Sequence, residues 1–143
     1  MMQKEQISWP YKGEGMMKRR QAREKAFQIL FQIDINDIGP DKAIEYAEDE
    51  EEINAFTKEL VFGVMGHKDQ VDKMISEHLE NWSFKRLASV ERTILRIATY
   101  EIKYIEDIPI KVSINEAVDI AKLYGDEKSS KFVNGVLSKL VNV

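Results

Sequence analysis

Phe132 stands where its ring could stack on a nucleobase while nearby lysines meet phosphate. It lies in the stretch Lys128-Ser129-Ser130-Lys131-Phe132-Val133-Asn134-Gly135-Val136-Leu137-Ser138-Lys139-Leu140, whose spacing is helical. Val133, Val136, Leu137 and Leu140 form one apolar stripe. At about 100° per residue, Phe132 points roughly 100° away from the centre of that stripe, toward Lys128, Gly135 and Lys139. A ring displayed among cations offers a π-face for a base and ammonium groups for the backbone. A second reading stays open, in which a helix packed on two sides buries the ring. The lysines and the glycine weigh against it.

The same logic recurs near the start of the chain. Residues 18–25 hold five bases against one acid. On a helix, Arg20, Arg23, Phe27 and Phe31 fall within about 80° of one another, away from an Ala22, Ala26, Ile33 stripe. Cations in a helix's first turn oppose the macrodipole by roughly 0.3–1 kcal/mol each, so phosphate binding is the better reason for them. The phenylalanines could instead belong to a broad apolar face. Both sets together predict one solvent groove shared by the first and last helices. The candidate nucleic-acid contacts are Lys18, Arg19, Arg20, Arg23, Phe31, Lys128, Lys131 and Phe132.

Other chemistries find little footing. Cysteine is absent, which removes disulfides, thiol nucleophiles and thiolate metal sites. His67 and His78 match no ligand spacing of the His-Glu-x-x-His kind and read as surface histidines. The acidic run lacks the glycine and alternating oxygen ligands of a calcium loop. Gly63-Val64-Met65-Gly66 lacks the ending that grips phosphates in a P-loop. No paired-carboxylate or serine–histidine arrangement stands out. The reading is a non-enzyme without cofactor or metal.

These residues need a helical frame, and periodicity supplies one nearly throughout. Helices are predicted over 18–35, from Pro40 to about Glu50, over 53–66 and over 68–81. Val90 to Ile105 is apolar on too wide a face for a surface helix and should be central. Ser113 to Glu116 has capping-box spacing before Ala117, Val118, Ile120 and Leu123, with Gly125 as a left-handed stop. Gly63 and Gly66 suggest close packing or a bend. No strands or repeats emerge. The expected fold is all-α, a compact bundle of about seven helices in one domain over residues 17–143. Residues 1–16, with Pro10, Gly13 and Gly15, read as a flexible extension, and Met16 or Met17 could start a shorter native product.

Composition is compatible with this frame. The 143 residues are 43% hydrophobic and 32% charged, as in a soluble globular domain. No apolar run approaches the roughly 18 residues of a membrane span, and no secretory signal is evident, so the expected location is cytoplasmic. The net charge is −4, but residues 41–59 hold eight acids against two lysines. Salt screens that acidic segment from a basic patch beyond a Debye length of roughly 8 Å, so overall acidity does not exclude RNA.

Four elements in this order resemble the NusB family of bacterial transcription antitermination factors. They are Lys18-Arg19-Arg20-Gln21-Ala22-Arg23-Glu24, Glu91-Arg92-Thr93-Ile94-Leu95-Arg96-Ile97-Ala98-Thr99-Tyr100-Glu101, Asp107-Ile108-Pro109 leading to Ile114-Asn115-Glu116-Ala117-Val118, and Lys131-Phe132-Val133-Asn134-Gly135-Val136-Leu137. The resemblance runs from about Met17 to Leu140, and its last element is the most specific. It implies two packed groups of three or four helices. It also implies a partner, the ribosomal protein NusE, with which the chain would bind single-stranded boxA RNA of ribosomal RNA transcripts and join an antitermination complex on RNA polymerase. By the same resemblance Arg19, Arg20, Arg23 and Phe132 lie at the RNA, and Glu91 at the surface shared with NusE. This chain has Arg19-Arg20-Gln21 where relatives can carry three arginines, and Lys128 where an acidic residue can occur. NusB-like domains also occur fused to RNA methyltransferases, but the cofactor domain and catalytic cysteine of those enzymes are missing here. A protein-interaction module without RNA contact is the alternative, a DNA-binding helix-turn-helix a weaker one. Monomer and homodimer are both compatible with the sequence.

Overall fold

A computed structural model describes the backbone of residues 10–142 and the side chains of residues 18–142. Seven α-helices and one 3₁₀ turn make up the described residues: α1 (Pro10–Asn36), α2 (Pro40–Glu48), α3 (Ala55–Gly66), α4 (Lys68–Ser76), the 3₁₀ turn (Phe84–Arg86), α5 (Ser89–Tyr104), α6 (Ile110–Tyr124) and α7 (Glu127–Val141). Of the extension expected over residues 1–16, residues 1–9 lie outside the described residues. The backbone of 10–16 is part of α1.

Thr93 to Glu101 are all buried in α5, so this helix has no solvent face along its middle. It packs on α1, α3, α4, α6 and α7, which makes it the central element its wide apolar face predicts. The helices α1, α2 and α3 contact one another on one side. On the other, α7 packs against α6 and α4. Leu60, Val61, Val64, Val71, Ile75, Leu95, Val133 and Leu137 are fully enclosed between these layers. Each such side chain stabilises the fold by roughly 1.5–3 kcal/mol relative to exposure.

Local chemistry sets the helix ends. Pro40 occupies the first turn of α2, where its missing N–H costs nothing. Asn54 caps α3, its Oδ1 accepting from the Phe56 N–H at 2.7 Å. Asp126 caps α7 in the same way, accepting from the Ser129 N–H at 2.8 Å. Gly63 brings α3 against α5. A Cβ there would fall 2.1 Å from Cζ of Tyr100, so no larger residue fits without moving the ring.

Three local expectations change. Helix α6 begins at Ile110 after Pro109, so Ser113 and Glu116 lie inside it and form no capping box. Both are taken by tertiary partners instead: Ser113 Oγ donates to Glu101 at 2.8 Å, and Glu116 binds Arg20. Gly125 ends α6 with φ −117°, outside the left-handed region. Glycine is required there for space, since a Cβ would meet Ser129 Oγ at 2.7 Å. Helix α4 stops at Ser76 rather than 81. Asn81 then turns the chain with φ 66°, a conformation asparagine tolerates better than most residues.

Candidate nucleic-acid interface

The basic start of the chain is more structural than its sequence suggests. Because α1 begins at Pro10, Arg19, Arg20 and Arg23 lie in the helix interior, and the first-turn dipole argument does not apply to them. Arg23 is 3% exposed. Its guanidinium donates to both Glu101 oxygens, at 2.8 and 2.9 Å, and lies 3.8 Å from Glu116. Two buried opposite charges of this geometry hold each other, because either alone would be an uncompensated charge in the core. Arg23 therefore joins α1 to α5 and has no free face for phosphate, contrary to its expected role.

Arg20 is exposed but engaged. It binds Glu116 through Nε at 3.1 Å and Nη2 at 2.8 Å, and Asp119 at 2.8 Å. The hydrogen bond to Glu116, with the Glu116 and Asp119 charges, raises the guanidinium above its ordinary pKa. Lys18 and Arg19 are exposed, and the Arg19 guanidinium lies 4.5 Å from the centre of the Phe56 ring. Phe27 is buried, and half-buried Phe31 stacks on it at 5.7 Å.

Phe132, on α7, is neither sealed nor fully displayed. One side packs on the core. The ring meets Trp82 edge to face, with centroids 6.4 Å apart and planes at 69°. Both rings line a concavity of about 470 Å³ together with Arg86, Glu91, Asp126 and Lys128. The side chains of Arg86, Glu91 and Lys128 make no ion pair or hydrogen bond among the described residues, whereas Arg20, Arg23, Arg92 and Arg96 are all paired. This is the basin where unspent charge and aromatic surface coincide.

The single groove expected between the first and last helices is not formed. No residue of α1 lines the Phe132 concavity. Arg20 borders a separate one with Glu116, Asp119 and Leu123. Lys131 is exposed on α7 but does not line the basin. Glu91, expected at a partner surface, does line it, from the first turn of α5.

Trp82 and Arg86 are the residues that periodicity missed. They lie between α4 and α5 in Glu80-Asn81-Trp82-Ser83-Phe84-Lys85-Arg86, a stretch too short and too polar to show a stripe. A tryptophan in such a stretch is itself a signal, because nothing local can bury it. The segment is anchored on both sides. Glu80 pairs with Lys139 of α7 at 2.7 Å, and the hydrogen bond and charge of Lys139 hold its carboxyl below the usual range. Phe84 lies beneath the guanidiniums of Arg96 and Arg92, at 5.3 and 6.0 Å, and Arg92 donates to the Leu87 carbonyl at 2.9 Å. Among the described residues no group of three or more His, Asp or Glu side chains is placed to hold a metal ion.

A seven-helix frame around one buried helix, with an aromatic and cationic basin at the ends of α5 and α7, defines an all-α binding module. Comparison with known proteins narrows that class. A model of the NusB family matches residues 20–142. The transcription antitermination protein NusB of Bacillus subtilis (strain 168) is 59% identical over 124 residues, covering 87% of this chain and 95% of that protein. The NusB structure from T. maritima superimposes with TM-score 0.77 at 40% identity, covering 87% of this chain and 90% of that one. A crystal structure of the antitermination factors NusB and NusE in complex with dsRNA gives 0.78 at 32% identity, covering 87% and 96%. The chain belongs to the NusB family of transcription antitermination factors.

Proposed function

We propose that this protein is a non-catalytic adapter that binds RNA through the Trp82–Phe132 basin and carries a second protein on an adjoining surface. The observation behind this reading is the coincidence of a half-buried Phe132 with Lys128 and Arg86, neither of them paired among the described residues, around one concavity. The aromatic surface of the basin takes an unpaired base, and the cations meet the flanking phosphates. A relative in this family occurs in complex with NusE and dsRNA. By extension the partner here is NusE, with Glu91 at the junction of protein and RNA, and the RNA is single-stranded boxA of ribosomal RNA transcripts. Lys18, Arg19 and Lys131 add charge around the basin and along α1. Arg20 joins them only by exchanging its carboxylates for phosphate. The resulting complex would join the antitermination machinery on RNA polymerase in the cytoplasm. Residues 17–143 act as one domain in this role.

The test is binding of labelled single-stranded boxA-like RNA and of a matched duplex, with and without NusE, at two salt concentrations. Single-strand binding that strengthens with NusE and weakens with salt supports the proposal. Equal binding of duplex and single strand would shift the reading to backbone recognition, and no RNA binding under either condition would leave a protein-interaction module.

A further inference from the structure

We infer that Trp82 supplies the main stacking face of the basin, with Phe132 as its bordering wall and Arg86 as its phosphate contact. This rests on the RNA-binding reading above and names residues within it. Trp82 is 57% exposed, while Phe132 is half-buried against the core. The indole is the larger ring and has the more accessible surface. Leaving most of it in water forgoes much of the stabilisation an aromatic side chain gains by burial, so its display is not explained by folding.

The display is also built rather than loose. Asn81, immediately before Trp82, adopts the left-handed conformation. Glu80 is tied to α7 through Lys139, and Phe84 is held under Arg92 and Arg96. Anchors on both sides reduce the conformational freedom the loop would lose on ordering around a ligand. Arg86, two residues beyond Phe84, is exposed, without a partner among the described residues, and lines the same concavity.

The ring geometry decides which partner takes the base. Two rings clamp one base only when their planes are nearly parallel, and here the planes meet at 69°. One base can therefore stack on one ring while the other touches its edge. With its inner side against the core, Phe132 is the edge wall.

The chain contains two tryptophans, Trp9 and Trp82. In the full-length Trp9→Phe protein, indole fluorescence reports Trp82 alone. Titrating it with unlabelled single-stranded RNA should quench that signal in parallel with the anisotropy of an end-labelled copy. Trp82→Ala should weaken RNA binding about tenfold or more, and Trp82→Phe should restore most of it, because every aromatic ring has a stacking face. Arg86→Gln should weaken binding and flatten its salt dependence by about one phosphate contact. RNA bound by the parent without quenching, and with unchanged affinity in Trp82→Ala, would overturn the inference while leaving the RNA-binding reading intact. Loss of NusE binding in Trp82→Ala with RNA binding unchanged would also overturn it. A parent that binds no RNA, even with NusE, would defeat the underlying reading itself. Should Trp82→Ala fold poorly by circular dichroism, the quenching titration and Trp82→Phe decide alone.

Discussion

Arg23 and Glu101, 78 positions apart in sequence, meet in a two-pronged ion pair with almost no solvent contact. An arginine in a basic run is thereby converted from a ligand contact into a strut between α1 and α5. Removing it strands the Glu101 charge in the core. Arg23→Ala should cost roughly 3–5 kcal/mol of stability. The check is urea denaturation, with a lower midpoint and an unchanged slope. Any loss of RNA binding in this variant should track its unfolded fraction.

Stability should fall in acid through Asp34. Burial alone would raise this carboxyl, but hydrogen bonds from Arg92 and Ser89 and the charges of Arg92 and Arg96 outweigh it and hold it below the ordinary range. A carboxylate depressed in the folded state contributes stability above its unfolded pKa of about 3.9, and that contribution disappears as pH falls through the lower folded value. Denaturation midpoints should therefore be flat with respect to this group near neutrality and drop below about pH 4. Asp34→Asn should be less stable at pH 7 and lose less on acidification than the parent.

Two glycines should respond in opposite directions to alanine. At Gly63 the new methyl would collide with Tyr100, so Gly63→Ala should destabilise by roughly 1–3 kcal/mol. At Gly135, inside α7, nothing lies within 4 Å of the added carbon. Gly135→Ala should stabilise by roughly 0.5–1 kcal/mol, the ordinary helical penalty of glycine. Thermal melts of both variants separate the cases.

Phe132→Ala should keep the fold and weaken RNA binding by less than the roughly 1–3 kcal/mol of a full stacking contact, because the ring borders the base at its edge. Lys128→Gln should instead lower the log–log salt slope by about 0.7 while leaving sequence preference unchanged. Binding isotherms at several salt concentrations distinguish a lost ring from a lost charge.

The sequence revealed the frame better than the site, and particular residues show why. Helices expected over 53–66 and from Val90 to Ile105 appear as Ala55–Gly66 and Ser89–Tyr104, because apolar spacing directly encodes which face is buried. Ser113 and Glu116 matched a local capping pattern, but Glu101 and Arg20, distant in the chain, claimed both side chains. Arg23 departs from its expected role for the same reason: a basic residue's partner cannot be seen from its neighbours. Phe132 stands out in the sequence because a ring off the stripe violates periodicity. Trp82 does not stand out, because its segment has no stripe to violate. The expected common groove failed once α1 committed two arginines to carboxylates on α5 and α6.

The Glu80–Lys139 bond makes ionic strength act on the loop as well as on the RNA. Added salt competes with phosphate contacts and, at the same time, weakens the exposed Glu80–Lys139 pair that ties the tryptophan's loop to α7. Counterion counts taken from the slope of affinity against salt would then overestimate the number of phosphates touched. Lys139→Met, which removes that pair at every salt concentration, should give the smaller and truer count.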